Sequence, residues 1–140
     1  GTSISDLKGI IERLDEDIKE KVFVCLDTCH MNDAGIDISK FDDFLNEFDK
    51  TIGIDKIKCI HVNDSMNPIG SHKDRHANLG YGTIGFDNLI NVIYNKRLDN
   101  IPKILETPWI NRNEKDAYAP YKYEIEMIRN KEFKDYINSK

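Results

Sequence analysis

No apolar run among the 140 residues approaches the roughly 18 needed to cross a bilayer, so a membrane span is not expected. Cysteine is scarce and odd in number, three in all, and no basic stretch followed by an apolar segment opens the chain. A disulfide scaffold is therefore excluded, and a reduced, intracellular protein is expected. With four prolines and eight glycines the composition is neither collagen-like nor that of a disordered chain. Positive charge is in deficit: 20 Lys and Arg against 25 Asp and Glu leave −5. That balance disfavours a nucleic-acid partner unless several carboxylates are occupied by cations. Low-complexity segments and repeats by identity are absent too.

What the chain does contain is an alternation of helix-like and strand-like segments. Residues 5–20, SDLKGIIERLDEDIKE, carry Leu7, Ile10, Ile11, Leu14 and Ile18 at helical spacing, which predicts a single helix. VFVCLD at 22–27 is a short Val-rich run, the first expected strand. Ser39, with Asp42 three residues on, predicts the start of a helix over FDDFLNEFDKTI that stops at Gly53. IKCIHVN at 57–63 follows as a strand, then a long loop to about residue 84, a helix over FDNLINVIYN, a strand PKILET at 102–107, and a last helix over 120–137. Strands separated by helices imply a parallel α/β sheet with right-handed crossovers. Three strands cannot close a barrel, so residues 1–140 are expected to be one partial domain, either part of a doubly wound sheet or half of a (β/α)₈ TIM barrel.

Side chains alternate along a strand, which sorts each strand into two faces. Phe23, Cys25 and Asp27 share one face, as do Ile57, Cys59 and His61, and Pro102, Ile104 and Glu106. Each triplet ends in an ionisable residue at the C-terminal edge, where α/β folds place their sites. Any one of Asp27, His61 and Glu106 could simply mark a strand emerging into water. All three in one phase suggest a divalent metal such as Zn²⁺ or Mn²⁺, since clustered carboxylates repel unless a cation sits among them.

The loops add donors. His30 lies three residues past Asp27, and DRH at 74–76 sets Asp74 and His76 two apart. Together they supply two nitrogens and a carboxylate, enough for a second metal with one open position. His72 reads as a surface residue, and Cys25 and Cys59 read as small buried interior side chains. Cys29 could bind metal, but no CxxC pair supports a zinc-finger or thioredoxin reading. The glycines of NLGYGTIG, 78–85, fit a Gly-rich turn, with a phosphate-cradling loop as the alternative.

In order and spacing, CLDTCH followed by AGID, IHVNDS, KDRH with LGYGTIG, and ILETPW resemble the C-terminal half of the endonuclease IV family of apurinic/apyrimidinic endonucleases. The resemblance runs from the first helix to about residue 128. It implies a (β/α)₈ barrel that holds three Zn²⁺ and cuts duplex DNA on the 5′ side of an abasic site, a base excision repair reaction. Asp27, His61 and Glu106 would correspond to ligands of one zinc of a close pair, with Mn²⁺ as an alternative there, and His30, Asp74 and His76 to the full set for the third. A bridging glutamate, two histidines and the DNA-penetrating loops of that family have no counterpart in this sequence. The 140 residues are thus expected to be part of a longer protein and inactive alone, with the site served by His30 the one able to form in full.

On this reading Lys73 and Arg75 are candidates for DNA-phosphate contacts, with solvated loop charges as the alternative. The location would be cytoplasmic in a bacterium, or a DNA-containing organelle in a eukaryote. A one-metal sugar isomerase or epimerase on the same architecture is the competing enzyme class, and a non-catalytic metal-binding fragment is the third reading. Unpaired sheet edges lead us to expect self-association or a need for the missing half.

Overall fold

The computed structural model describes residues 4–138. In chain order it contains α1 (Ile4–Glu12), α2 (Glu16–Lys19), β1 (Val24–Asp27), α3 (Thr28–Asp33), α4 (Phe41–Thr51), β2 (Ile57–His61), β3 (Asp64–Ser65), β4 (His76–Ala77), α5 (Phe86–Ile93), β5 (Lys103–Ile104) and α6 (Tyr121–Asn130). β1, β2 and β5 form one parallel sheet in that order, with α4 and α5 as the crossovers. β3 and β4 pair antiparallel in a separate two-stranded ribbon. This is the α/β, TIM-barrel-like arrangement expected from the alternation of segments. No described helix is long and apolar enough to cross a membrane.

The apolar halves of the helices and one face of the sheet make the core. Val24 and Leu26 of β1 and Ile60 of β2, with Val62 just beyond it, meet Leu45 and Phe48 of α4, Leu89 and Val92 of α5, and Met127 of α6. The other sheet face is open: Phe23, Cys25 and Ile104 are exposed and Cys59 is half-buried. Cys25 and Cys59 are therefore not the buried interior side chains that the alternation predicted. Ile57 also departs from its expected face and is fully buried. A register shift between Val24 and Cys25 pairs Val24 with Ile57 but Cys25 with Cys59, which resets the alternation at that step.

Other boundaries moved for local reasons. The predicted first helix is broken between Glu12 and Glu16 into α1 and α2, with Asp15 in extended conformation ahead of the second piece. Ser39 does not cap α4. Asp37 caps a preceding 3₁₀ turn instead, accepting hydrogen bonds from the Ser39 N–H at 3.0 Å and hydroxyl at 2.6 Å. Gly53, with φ 110°, closes α4 as predicted, in a conformation only glycine adopts freely. α6 stops early, at a left-handed Lys131.

Two buried carboxylates hold the long connection after β2. Asp64 is fully buried and accepts hydrogen bonds from five main-chain N–H groups: Ser65 (2.9 Å), Gly80 (3.0 Å), Gly82 (3.1 Å), Ile84 (2.9 Å) and Gly85 (3.3 Å). The Gly-rich turn does cradle an anion, but the anion is an internal side chain. Gly82 is obligatory there, because a Cβ would lie 2.4 Å from the Ser65 carbonyl oxygen and 2.5 Å from Asp64 Oδ1. Glu124 of α6 is also fully buried, accepting from the Leu79 N–H at 2.9 Å and from the Thr107 hydroxyl. Burial raises its carboxyl above the ordinary 4.5, only partly offset by those donors.

Both carboxylates yield predictions. Asp64→Ala should destabilise the fold by about 3 kcal/mol or more, because hydrogen bonds to a charged acceptor contribute about 1.5–3 kcal/mol and their loss strands buried donors; the urea midpoint measures it. Glu124 binds its proton more tightly folded than unfolded, so its stabilising contribution is full below pH 4.5 and is lost as pH rises through the elevated folded value. The unfolding free energy of wild type relative to Glu124→Gln should therefore fall with rising pH above 4.5 and then level off. A flat difference across that range would contradict the assignment.

Candidate metal centre

The site grows from the C-terminal edge of the parallel sheet. Asp27 and His61 are register partners at the ends of β1 and β2, and Ile104 pairs with His61 on the other side, with Glu106 two residues further along. A hydrogen-bonded strap behind this edge fixes the three strand ends together. The Thr28 hydroxyl donates to the Asn63 carbonyl at 2.6 Å and accepts from the Asn63 N–H at 2.8 Å. The Asn63 side-chain oxygen then accepts the Glu106 N–H at 2.8 Å. Thr28 and Asn63 are both fully buried.

The structure brings together Asp27, His61 and Glu106, whose ligand atoms lie within 4.8 Å of one another. His61 Nδ1 is 2.5 Å from Glu106 Oε1 and 3.8 Å from Asp27 Oδ2. His76, on β4, reaches the same group: its Nε2 is 3.7 Å from Asp27 Oδ2 and 3.6 Å from Asp74 Oδ1. The other ring nitrogen, Nδ1, is 3.0 Å from the Glu106 carbonyl oxygen. A carbonyl only accepts, so Nδ1 carries a proton, and in the neutral ring Nε2 is the nitrogen left to bind a cation. That is the tautomer a metal ligand needs. His76 thus stands between the Asp27 group and Asp74.

Cys29 is the third member of the group formed with Asp74 and His76. Its thiol is fully buried, its Sγ–H donates to the Arg75 carbonyl at 3.4 Å, and burial pushes it up to about 12. It behaves as a protonated clasp between α3 and the loop. His30 lies beside it on the exposed side of α3, and its main-chain N–H donates to Asp27 Oδ1 at 3.1 Å. Its ring is outside the Cys29, Asp74 and His76 group. Lys73 and Arg75 are exposed on the same loop, and so is His72, as expected of a surface residue.

The donor set fits a divalent cation. Bonds of about 2.0–2.2 Å in a tetrahedral zinc site place neighbouring donors about 3.3–3.6 Å apart. The 3.6–3.8 Å separations at His76, Asp74, Asp27 and His61 are close to that spacing, whereas His61 Nδ1 and Glu106 Oε1, 2.5 Å apart, are in direct contact and would have to separate around an ion. Three carboxylates, Asp27, Asp74 and Glu106, converge on two imidazoles, a field that a cation satisfies.

Sequence reasoning overlooked Asn63, Thr28 and Asp64, which hold the ligands rather than supply them. Asn63 and Asp64 sit in the VND run straight after β2, and no periodicity distinguishes them from ordinary loop residues.

Comparison with known proteins places this geometry. The family described as "Xylose isomerase-like TIM barrel" matches residues 1–131. Proteins named "Probable endonuclease 4" are similar over nearly the whole chain. That of Ureaplasma urealyticum serovar 10 is 56% identical over 137 residues, covering 96% of this chain and 44% of that protein. The Bacillus subtilis protein is 50% identical over 141 residues, covering 100% and 47%. The crystal structure of endonuclease IV from Thermus thermophilus superposes with a TM-score of 0.74 at 29% identity, covering 93% of this chain and 44% of that one. The chain thus spans under half the length of the relatives it matches. With a parallel sheet whose C-terminal edge gathers carboxylates and imidazoles, and this match over residues 1–131, the chain belongs to the xylose isomerase-like TIM-barrel family and, within it, to the endonuclease IV group of AP endonucleases.

Proposed function

We propose that this chain supplies the C-terminal metal-binding part of a Zn²⁺-dependent endonuclease that hydrolyses duplex DNA on the 5′ side of abasic sites. The observation that carries the proposal is the pair of linked donor groups at one sheet edge, with His76 Nε2 within 3.7 Å of both Asp27 and Asp74. Two groups sharing a border suit chemistry in which several cations act on one phosphodiester.

Asp27, His61 and Glu106 would hold one Zn²⁺, with Mn²⁺ as an alternative ion, and His30, Asp74 and His76 another. We keep His30 in the second set because it is exposed and adjoins Cys29 in α3, whereas the Cys29 proton is engaged by the Arg75 carbonyl. When bound, such ions supply Lewis-acid stabilisation of the phosphate charge and activation of water.

The protein's own side chains do the positioning. The Thr28, Asn63 and Glu106 strap fixes the strand ends, and the Glu106 carbonyl fixes the His76 tautomer. Lys73 and Arg75, exposed on the loop that carries Asp74, would meet DNA phosphates. Extruding a sugar that lacks its base costs little stacking energy. Because the matched relatives are about twice as long, we assign turnover to the intact protein rather than to these 140 residues alone.

A one-metal isomerase or epimerase remains the competing reading, since the matching family is described by xylose isomerase. Asp27, His61 and Glu106 alone suit either chemistry, but the adjoining Asp74 and His76 favour several metals.

The intact protein, assayed on a duplex with one abasic site, should cleave it. Asp27→Asn and His76→Asn should each reduce the rate by at least about 100-fold, the upper range for loss of even an outer-sphere metal partner. Chelation should abolish cleavage and added Zn²⁺ should restore it. A stoichiometry of one metal per intact chain, or no cleavage with zinc restored, would overturn the reading in favour of the isomerase or the non-catalytic fragment respectively.

A further inference from the structure

The same edge carries a second, chemically different constellation. Cys25 precedes Asp27 by two residues and Cys59 precedes His61 by two, so adjacent strands repeat the order cysteine, apolar residue, ligand. The parallel register makes Cys25 and Cys59 direct partners across β1 and β2. Alternation keeps both on the face that bears Asp27 and His61. Ligand atoms of Cys25, Cys59 and His61 all lie within 4.8 Å of one another. In this chain Cys25 is exposed and Cys59 half-buried.

We propose that Cys25, Cys59 and His61 form a sulfur-rich site for a soft, thiophilic cation of the Cd²⁺ or Cu⁺ class, adjoining the oxygen-rich group above it and sharing His61 with it. Two thiolates and one imidazole are the donor set that softer ions select over carboxylate and water. The two thiols give up their protons to solvent as the metal–sulfur bonds form, and no oxidant or reductant is required. His61 belongs to both constellations, with its Nδ1 facing Asp27 and Glu106. The thiol site depends on this geometry alone, whatever substrate the upper group acts on.

The test is a Cd²⁺ titration of the 140-residue chain kept reduced by a non-thiol reductant, following the sulfur-to-cadmium charge-transfer band in the ultraviolet. One equivalent should saturate the band. Cys25→Ser and Cys59→Ser should each weaken binding by at least the roughly tenfold that loss of an outer-sphere metal partner costs. Cys29→Ala controls for the third thiol and should leave the band in place, as should Asp27→Asn, which removes only an oxygen ligand of the neighbouring group. His61→Asn should weaken Cd²⁺ binding while leaving both cysteines reactive toward a thiol reagent. Far-ultraviolet circular dichroism establishes that each variant is folded. Since Cys25 is exposed, its serine variant is the least disruptive of the fold. A band lost in Cys29→Ala and retained in Cys25→Ser and Cys59→Ser would overturn the proposal, as would no band in wild type whose thiols all titrate as free.

Discussion

The site depends on one constraint: three strand ends must stop at the same level. The strap running from Thr28 through Asn63 to the Glu106 N–H imposes it. Parallel hydrogen bonding alone would set the register of β1 on β2, but β5 is only two residues long and a poor ruler for the position of Glu106. Asn63 compensates, because its main chain is tied to β1 and its side chain to the strand end that carries the glutamate. The two Thr28–Asn63 bonds are buried and the bond to Glu106 is half-buried, so a shift of β1 against β2 would leave an unmatched polar group in the interior. The strap converts the positions of Asp27, His61 and Glu106 from three independent strand endings into one arrangement.

A second device brings the distant ligands in. Residues 66–75 form an exposed excursion that must return His76 to the sheet edge. The return is fixed from below by the Asp64 carboxylate, which gathers the N–H groups of the following turn, and from the side by Cys29 against the Arg75 carbonyl. Asp33 assists, accepting from the Ser71 hydroxyl at 3.2 Å. The loop carrying Asp74 and His76 is thus held by buried polar groups at its roots while its outer residues face solvent. Such a division suits a loop that must present charged side chains outward and ligands inward.

Much of this was legible in the sequence for a physical reason. Period-two alternation is a local property, so the shared face of Asp27, His61 and Glu106 could be read from three short segments without knowing the fold. The ribbon of β3 and β4 was not legible, since two residues per strand leave no period to detect. Nor was Asp64, a single carboxylate four of whose five N–H partners lie 16 to 21 residues away. The cap at Asp37 was missed because Ser39 offered an equally good signal two residues later, and only the backbone decides between them. Placing Cys25 and Cys59 in the interior assumed a closed barrel. The same alternation on a sheet open on that face leaves Cys25 in solvent.

The acidic balance can now be reinterpreted. Carboxylates of this chain fall into distinct populations that a formal count of −5 merges. Asp33, Asp64 and Glu124 are internal, each answered by hydroxyl or N–H donors, and do not project a field into solvent in proportion to their number. Asp27, Asp74 and Glu106 converge where a cation would sit, and a divalent ion there would offset most of the negative charge they create. The loop beside them carries Lys73 and Arg75. On the proposed function, a metal-loaded edge would be less negative than the composition suggests, so the formal charge does not by itself exclude a nucleic-acid partner.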